Sequence, residues 1–165
     1  MEFISVFDVF KIGVGPSSSH TLGPWKAALK FISHCKQLNI LSVDKSLRIS
    51  LFGSLSLTGK GHATDLAVMM GLTGQDPVTV DTSAISDMIS NIRHLKKIKV
   101  DEMTVLDFDP DFDIAFEKDF LPYHPNGMVF SVLQQDGTIV FKETYYSVGG
   151  GFIVLEGEPI TSLSN

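Results

Sequence analysis

The clearest hydrophobic period near the start of the chain is helical. Counted from Trp25, the apolar residues Ala28, Leu29, Ile32, Cys35 and Leu38 follow at i+3, i+4, i+7, i+10 and i+13, one face of a helix. Pro24 fits only a first turn, where its missing N–H has no helical partner to lose. The helix therefore begins just upstream, with Ser18, Ser19 or Thr21 as candidate caps, and ends near Asn39. The period then changes to two. Leu47, Ile49, Leu51, Leu55 and Leu57 alternate with Arg48, Ser50, Ser54 and Ser56, which predicts one half-buried strand, with Gly53 marking a bulge or a close approach.

After the Thr58–Gly61 turn the spacing predicts a helix with Leu66, Met69 and Met70 inward, stopped by Gly71 and Gly74. A second amphipathic helix carries Ile85, Met88, Ile89, Ile92 and Leu95, capped by Asp81, Thr82 or Ser83, and a strand follows around Ile98–Leu106. Asp107–Pro125 is acidic and punctuated by prolines, an ordered loop. Met128–Gln135 and Thr138–Ser147 flank Asp136-Gly137, the pair that suits a two-residue type I′ hairpin. Gly149-Gly150-Gly151 breaks the second strand, and Phe152–Leu155 resumes it. The predicted class is α+β, a largely antiparallel sheet with packed helices. Residues 1–156 form the expected domain and 157–165 a linker or tail.

Composition narrows the function. The 165 residues carry 13 Lys+Arg against 19 Asp+Glu, net −6, which disfavours a broad nucleic-acid surface. One cysteine, Cys35, forbids an intrachain disulfide and any cysteine-built zinc or iron–sulfur site within the chain. The first residues lack a basic leader region and are interrupted by Asp8 and Lys11, so no membrane segment and a cytoplasmic location are expected. Twelve phenylalanines and few charges point to apolar surface that meets another domain or subunit.

Three segments can carry chemistry. Gly13–Thr21 places Ser17, Ser18, Ser19 and His20 at a helix start, where free N–H groups and the helix dipole suit a carboxylate or phosphate. The plainer reading is an N-cap with spare serines. Gly53–Asp65 is not a phosphate loop: five residues rather than four separate Gly53 from Gly59, and Gly61 stands where a magnesium-binding Ser/Thr belongs. It leaves Lys60, His62 and Asp65 at a second helix start. There Asp65 can orient His62 as a general base, or simply complement the dipole beside two solvated residues. The third segment, Leu121–Met128, holds His124, Asn126 and Gly127 between prolines, a rigid presenter of donors and acceptors or a plain connector. His34 and His94 are read as surface residues.

Taken together, Phe7–Thr21, Gly59–Asp65, His124–Met128 and Tyr145–Gly151, in this order along nearly the whole chain, resemble the beta domain of the iron–sulfur-dependent bacterial L-serine dehydratases, or L-serine ammonia-lyases. The resemblance implies deamination of L-serine to pyruvate and ammonia with a [4Fe–4S] cluster, whose substrate-binding iron polarises the β-hydroxyl while a base removes the Cα proton. It also implies that the cluster cysteines lie in an alpha (catalytic) domain, and that the beta domain is similar to the allosteric substrate-binding domain of some D-3-phosphoglycerate dehydrogenases. With Cys35 alone, the chain is then an N-terminal piece or a beta subunit, inactive by itself. By the same resemblance Ser17, Ser18, Ser19, Thr21 and Thr64 bind substrate, His62, His20 and Asp65 are catalytic, and His124, Asn126 and Gly127 bind serine as effector. The expected partners are the alpha domain, L-serine and a second copy in a homodimer, with no nucleic acid or membrane. Which histidine is the base stays open, as does a purely regulatory, dimerising module without a catalytic residue.

Overall fold

The computed structural model describes residues 19–59 and 63–158. Helix α1 (Leu22–Gln37) leads to strand β1 (Ser46–Leu51), then to short helix α2 (Gly53–Gly59) and helices α3 (Thr64–Leu72) and α4 (Thr82–Leu95). Strands β2 (Lys97–Lys99) and β3 (Val105–Asp107) form a small hairpin, followed by the single turn α5 (Pro110–Asp113). Strands β4 (Ile114–Phe116), β5 (Gly127–Leu133), β6 (Ile139–Gly149) and β7 (Phe152–Leu155) complete the chain. The main sheet runs β4-β1-β5-β6-β7, antiparallel throughout except for the parallel β1–β4 pair, so the α+β class with a largely antiparallel sheet holds.

The helical stripe read from the sequence is what buries α1, with Phe31 added to it and Leu38 left exposed past the helix end. Phe31 lies 5.3 Å from Phe130 and 5.9 Å from Phe141, ring to ring, which seats α1 on one face of β5 and β6. Helix α3 packs on the other side of α1. There Gly71 does not stop the helix but sits inside it: a Cβ would come within 2.4 Å of the Trp25 carbonyl oxygen and 2.6 Å of Ala28 Cβ. The lack of a side chain at Gly71 lets the two backbones close up, and overpacking there costs about 1–3 kcal/mol.

Several local expectations change. The period-two run does not stay extended past Leu51: Gly53 takes φ +57, its N–H donates to the Asp119 carbonyl, and α2 begins. A short helix can also bury alternate leucines, so Leu55 is fully buried while Leu57 is exposed. The close approach predicted at Gly53 is real, since a Cβ would lie 2.2 Å from the Pro125 carbonyl oxygen. The single strand expected over Ile98–Leu106 is two short strands folded on each other. The loop expected over Asp107–Pro125 contains α5 and β4, the latter recruited by the edge of β1. The Asp136-Gly137 turn is not type I′, which needs positive φ at both residues. Gly137 is at φ +88 and Asp136 is not among the positive-φ residues, while the Gly137 N–H donates to Gln134 and the Gln134 N–H to Thr138. That is a longer turn closed by a left-handed glycine. Phe152–Leu155 does not resume β6 but turns back to pair antiparallel with it.

Cys35 belongs to the core. Its thiol is fully buried beneath α1, and burial together with the nearby Glu143 carboxylate pushes its pKa from 9.0 up to about 12. The folded chain thus holds this proton more tightly than the unfolded one. Stability from this group is intact below pH 9.0 and declines as the pH rises toward about 12, with a limiting slope of about 1.4 kcal/mol per pH unit. Urea midpoints measured from neutral to alkaline pH should fall in this window, and Cys35→Ala should flatten the first part of the fall.

Candidate functional site

Helices α1 and α3 begin beside each other because they pack along each other, and this brings two of the chemically suggestive segments together. Thr64, fully buried in the first turn of α3, donates from Oγ1 to the His20 carbonyl at 2.6 Å. Ala63 takes a left-handed φ of +65 to make the turn into α3. Thr21 occupies the N-cap position of α1 but its side chain caps nothing, a departure from the expected cap. Its carbonyl accepts the Trp25 N–H at 3.0 Å, and the residue is buried. Ser19 Oγ lies 3.0 Å from His20 Nδ1, which fixes the ring against the residue before it. Ser17, Ser18 and His62, along with Lys60 and Gly61, lie outside the described residues.

Asp65 has two partners among the described residues. Its Oδ1 accepts the Leu66 N–H at 2.9 Å, a first-turn contact at a helix start, and its Oδ2 accepts from Arg93 at 2.8 Å. Arg93, in the last turn of α4, was not singled out in the sequence. A contact 28 positions apart leaves no periodic signal, and the pair forms only because α4 folds back over the start of α3. No group of three or more His, Cys, Asp or Glu side chains that could hold a metal occurs among the described residues.

The Leu121–Met128 segment lies elsewhere, docked between α2 and the end of β6. The Ser54 N–H donates to the Pro125 carbonyl, and the Phe52 N–H to the Gly127 carbonyl, both at 2.9 Å. Asn126 Nδ2 donates to the Ser147 carbonyl at 3.1 Å, while the Ser147 N–H donates to the Asn126 carbonyl at 3.0 Å. His124 Nδ1 accepts the Asn126 N–H at 3.0 Å, which places the proton of a neutral ring on Nε2. Both His124 and Asn126 are half-buried, so the loop is held rigidly, as its prolines suggest. Ser147 is fully buried, and its Oγ has no hydrogen-bond partner among the described residues.

His94 is exposed, as expected, but His34 is not a plain surface residue. Its Nδ1 lies 2.9 Å from both oxygens of Glu143, a carboxylate that also accepts from the Tyr145 hydroxyl at 3.0 Å. This cluster ties α1 to β6. Burial and Glu143 together raise the Tyr145 phenol well above its ordinary range, so it stays a donor.

Comparison with known proteins decides the family. The model of the serine dehydratase beta chain matches residues 5–158. The chain belongs to the serine dehydratase beta chain family. It is 42% identical over 154 residues to an L-serine dehydratase of Haemophilus influenzae, covering 93% of this chain and 34% of that protein. It is 46% identical over 154 residues to L-serine dehydratase 2 of Escherichia coli strain K12, with the same coverage of both chains. An L-serine dehydratase of Helicobacter pylori is 38% identical over 158 residues, 96% of this chain and 34% of that one. This beta chain therefore spans about a third of the length of the curated relatives it matches.

The buried Thr64–His20 contact is the joint between the two helix starts. Thr64→Val removes the donor while keeping the shape, and a carbonyl left without its partner costs about 1–3 kcal/mol. The urea midpoint should fall accordingly with an unchanged denaturant slope, and Thr64→Ser should recover most of the loss.

Proposed function

We propose that this chain is the beta domain of an L-serine dehydratase that converts L-serine to pyruvate and ammonia, and that the joined starts of α1 and α3 are its contribution to the active site. The observation that carries this reading is the match to L-serine dehydratases over 93% of the chain, with the Thr64–His20 bond bringing the two matched segments into contact. The serine-rich helix start suits the substrate carboxylate, with Ser17, Ser18, Ser19, Thr21 and Thr64 around it. His62 or His20 takes the Cα proton. Asp65, three positions after His62 in sequence and held by Arg93, is the carboxylate assigned to the same machinery. Loss of the β-hydroxyl then leaves aminoacrylate, which water converts to pyruvate and ammonia.

An iron–sulfur cluster does not fit this chain's own residues. Cys35 is its one cysteine, and that thiol is fully buried and kept protonated. The [4Fe–4S] cluster of the complete enzyme is accordingly assigned to cysteines of an alpha domain, a partner that the length of the relatives leaves room for. The same reading makes residues 157–165 the start of the connection to it, the location cytoplasmic and the enzyme a homodimer.

A second site is supported by the rigidity of the Leu121–Met128 segment. Pre-fixed by Ser54, Phe52 and Ser147, it captures a small zwitterion with little ordering cost. We assign it to L-serine as effector through His124, Asn126 and Gly127, in keeping with the resemblance to allosteric substrate-binding domains.

The complete enzyme tests both sites. A positioned base contributes about 10²–10⁴-fold, so His62→Ala should lower kcat by that order while His20→Ala chiefly raises KM, or the reverse if His20 is the base. Asn126→Ala should alter the serine dependence of activation and leave saturated kcat largely intact. Near-normal kcat and KM in both histidine variants would leave the chain a regulatory module.

A further inference from the structure

Away from both sites, a cavity of about 750 Å³ opens between the end of α1, the turn after α3, one face of α4 and the β2–β3 hairpin. One wall is apolar. Met88, Ile92 and Leu95 stand at i, i+4 and i+7 on α4, and Val105 of β3 completes it. The rim is cationic, with Lys36 at the end of α1 and Lys97 and Lys99 on β2. Three ammonium groups face two carboxylates, Asp101 and Glu102, around the cavity, a local balance opposite in sign to the net −6 of the chain.

Each lysine has a carboxylate near it, and none of the three carboxylates is held by burial. Asp101 accepts the Met103 N–H at 2.8 Å within its own hairpin and also lies within the influence of the Lys36 charge. Glu102, 3.6 Å from Lys99, has a side chain 95% exposed, and Asp107, the partner of Lys97, is 85% exposed. Such exposed pairs are weak, so a bound anion displaces them at little cost. The remaining wall is held in place: the Trp25 indole donates to the Gln75 carbonyl at 2.7 Å, and Gly74 at φ +79 turns the chain beside Lys36.

We propose that this groove binds a small organic anion with an apolar body, its carboxylate or phosphate at Lys36, Lys97 and Lys99 and its body against Met88, Ile92, Leu95 and Val105. The volume lies within the ~300–1,000 Å³ of small-molecule sites, and an inorganic anion alone fills little of it. An aliphatic carboxylate and a nucleoside monophosphate share this chemistry. The inference does not depend on the proposed activity.

The test is a titration of the ¹⁵N-labelled chain, followed by amide shifts, with octanoate, AMP and inorganic phosphate as probes. Saturable shifts at Asn91, Lys97, Lys99 and Val105 with octanoate or AMP, and much weaker ones with phosphate, are expected. The tighter of the two organic anions identifies the source of the ligand. The double substitution Lys97→Glu with Lys99→Glu should weaken binding at least about tenfold, as loss of charged hydrogen bonds does. If it disturbs the hairpin, Lys36→Glu on α1 reads the same charge from another element. Filling the groove with Val105→Trp should abolish binding without removing charge. No saturable shift at these residues up to about 10 mM of either organic anion would overturn the inference. So would phosphate binding as tightly as the organic anions, or affinity unchanged by charge reversal.

Discussion

The close packing of α1 between the sheet and α3 is the constraint on which the other features rest. Phe31 locks α1 to Phe130 and Phe141 on one side, and Gly71 lets α3 approach the Trp25 backbone on the other. Two helices in such contact, with Thr64 bonded to the residue before Thr21, must begin at the same end of the molecule. Segments 44 positions apart in sequence therefore share one place. The sheet takes no direct part in that juxtaposition; it supplies the apolar floor that makes α1 immovable.

Much of this was legible in the residues. The α1 stripe, the α4 stripe with its Asp81 cap, the long β5–β6 hairpin and the rigid proline loop follow from period, capping and turn chemistry. What was not legible depended on contacts distant in sequence. Leu55 and Leu57 continue a period of two, yet the chain leaves the sheet at Gly53, because the Asp119 and Pro125 carbonyls capture the N–H groups of Gly53 and Ser54. A two-residue period cannot register a partner some seventy positions away. Gly71 reads as a helix stop by type, and only the approach of Trp25 shows why it stands inside a helix.

The candidate site divides along the same line. Residue types at the two helix starts suggested anion binding and proton transfer, and their contact required the fold. Asp65 shows the limit most plainly. A carboxylate three positions after His62 reads as its orienting partner, and the fold adds what the sequence does not announce, Arg93, which with the Leu66 N–H holds the Asp65 carboxylate. Its charge is thereby offset by a nearby guanidinium, which the sequence alone does not reveal.

Net charge alone does not decide whether a chain presents sites suited to small anions. Arg93, in the last turn of α4, offsets Asp65, and Lys97 and Lys99 come directly after that helix end, on β2. The C-terminal end of helix α4 is thus the cation-bearing one, while its buried Ile89 and Ile92 hold it to the core. The net charge of −6 is a sum over the whole surface, whereas a bound anion responds to the few groups within about a Debye length. A negative total excludes a broad polyanion surface, because such a surface requires one sign over a wide area. It places no bar on small sites where a helix start or a few lysines set the local field.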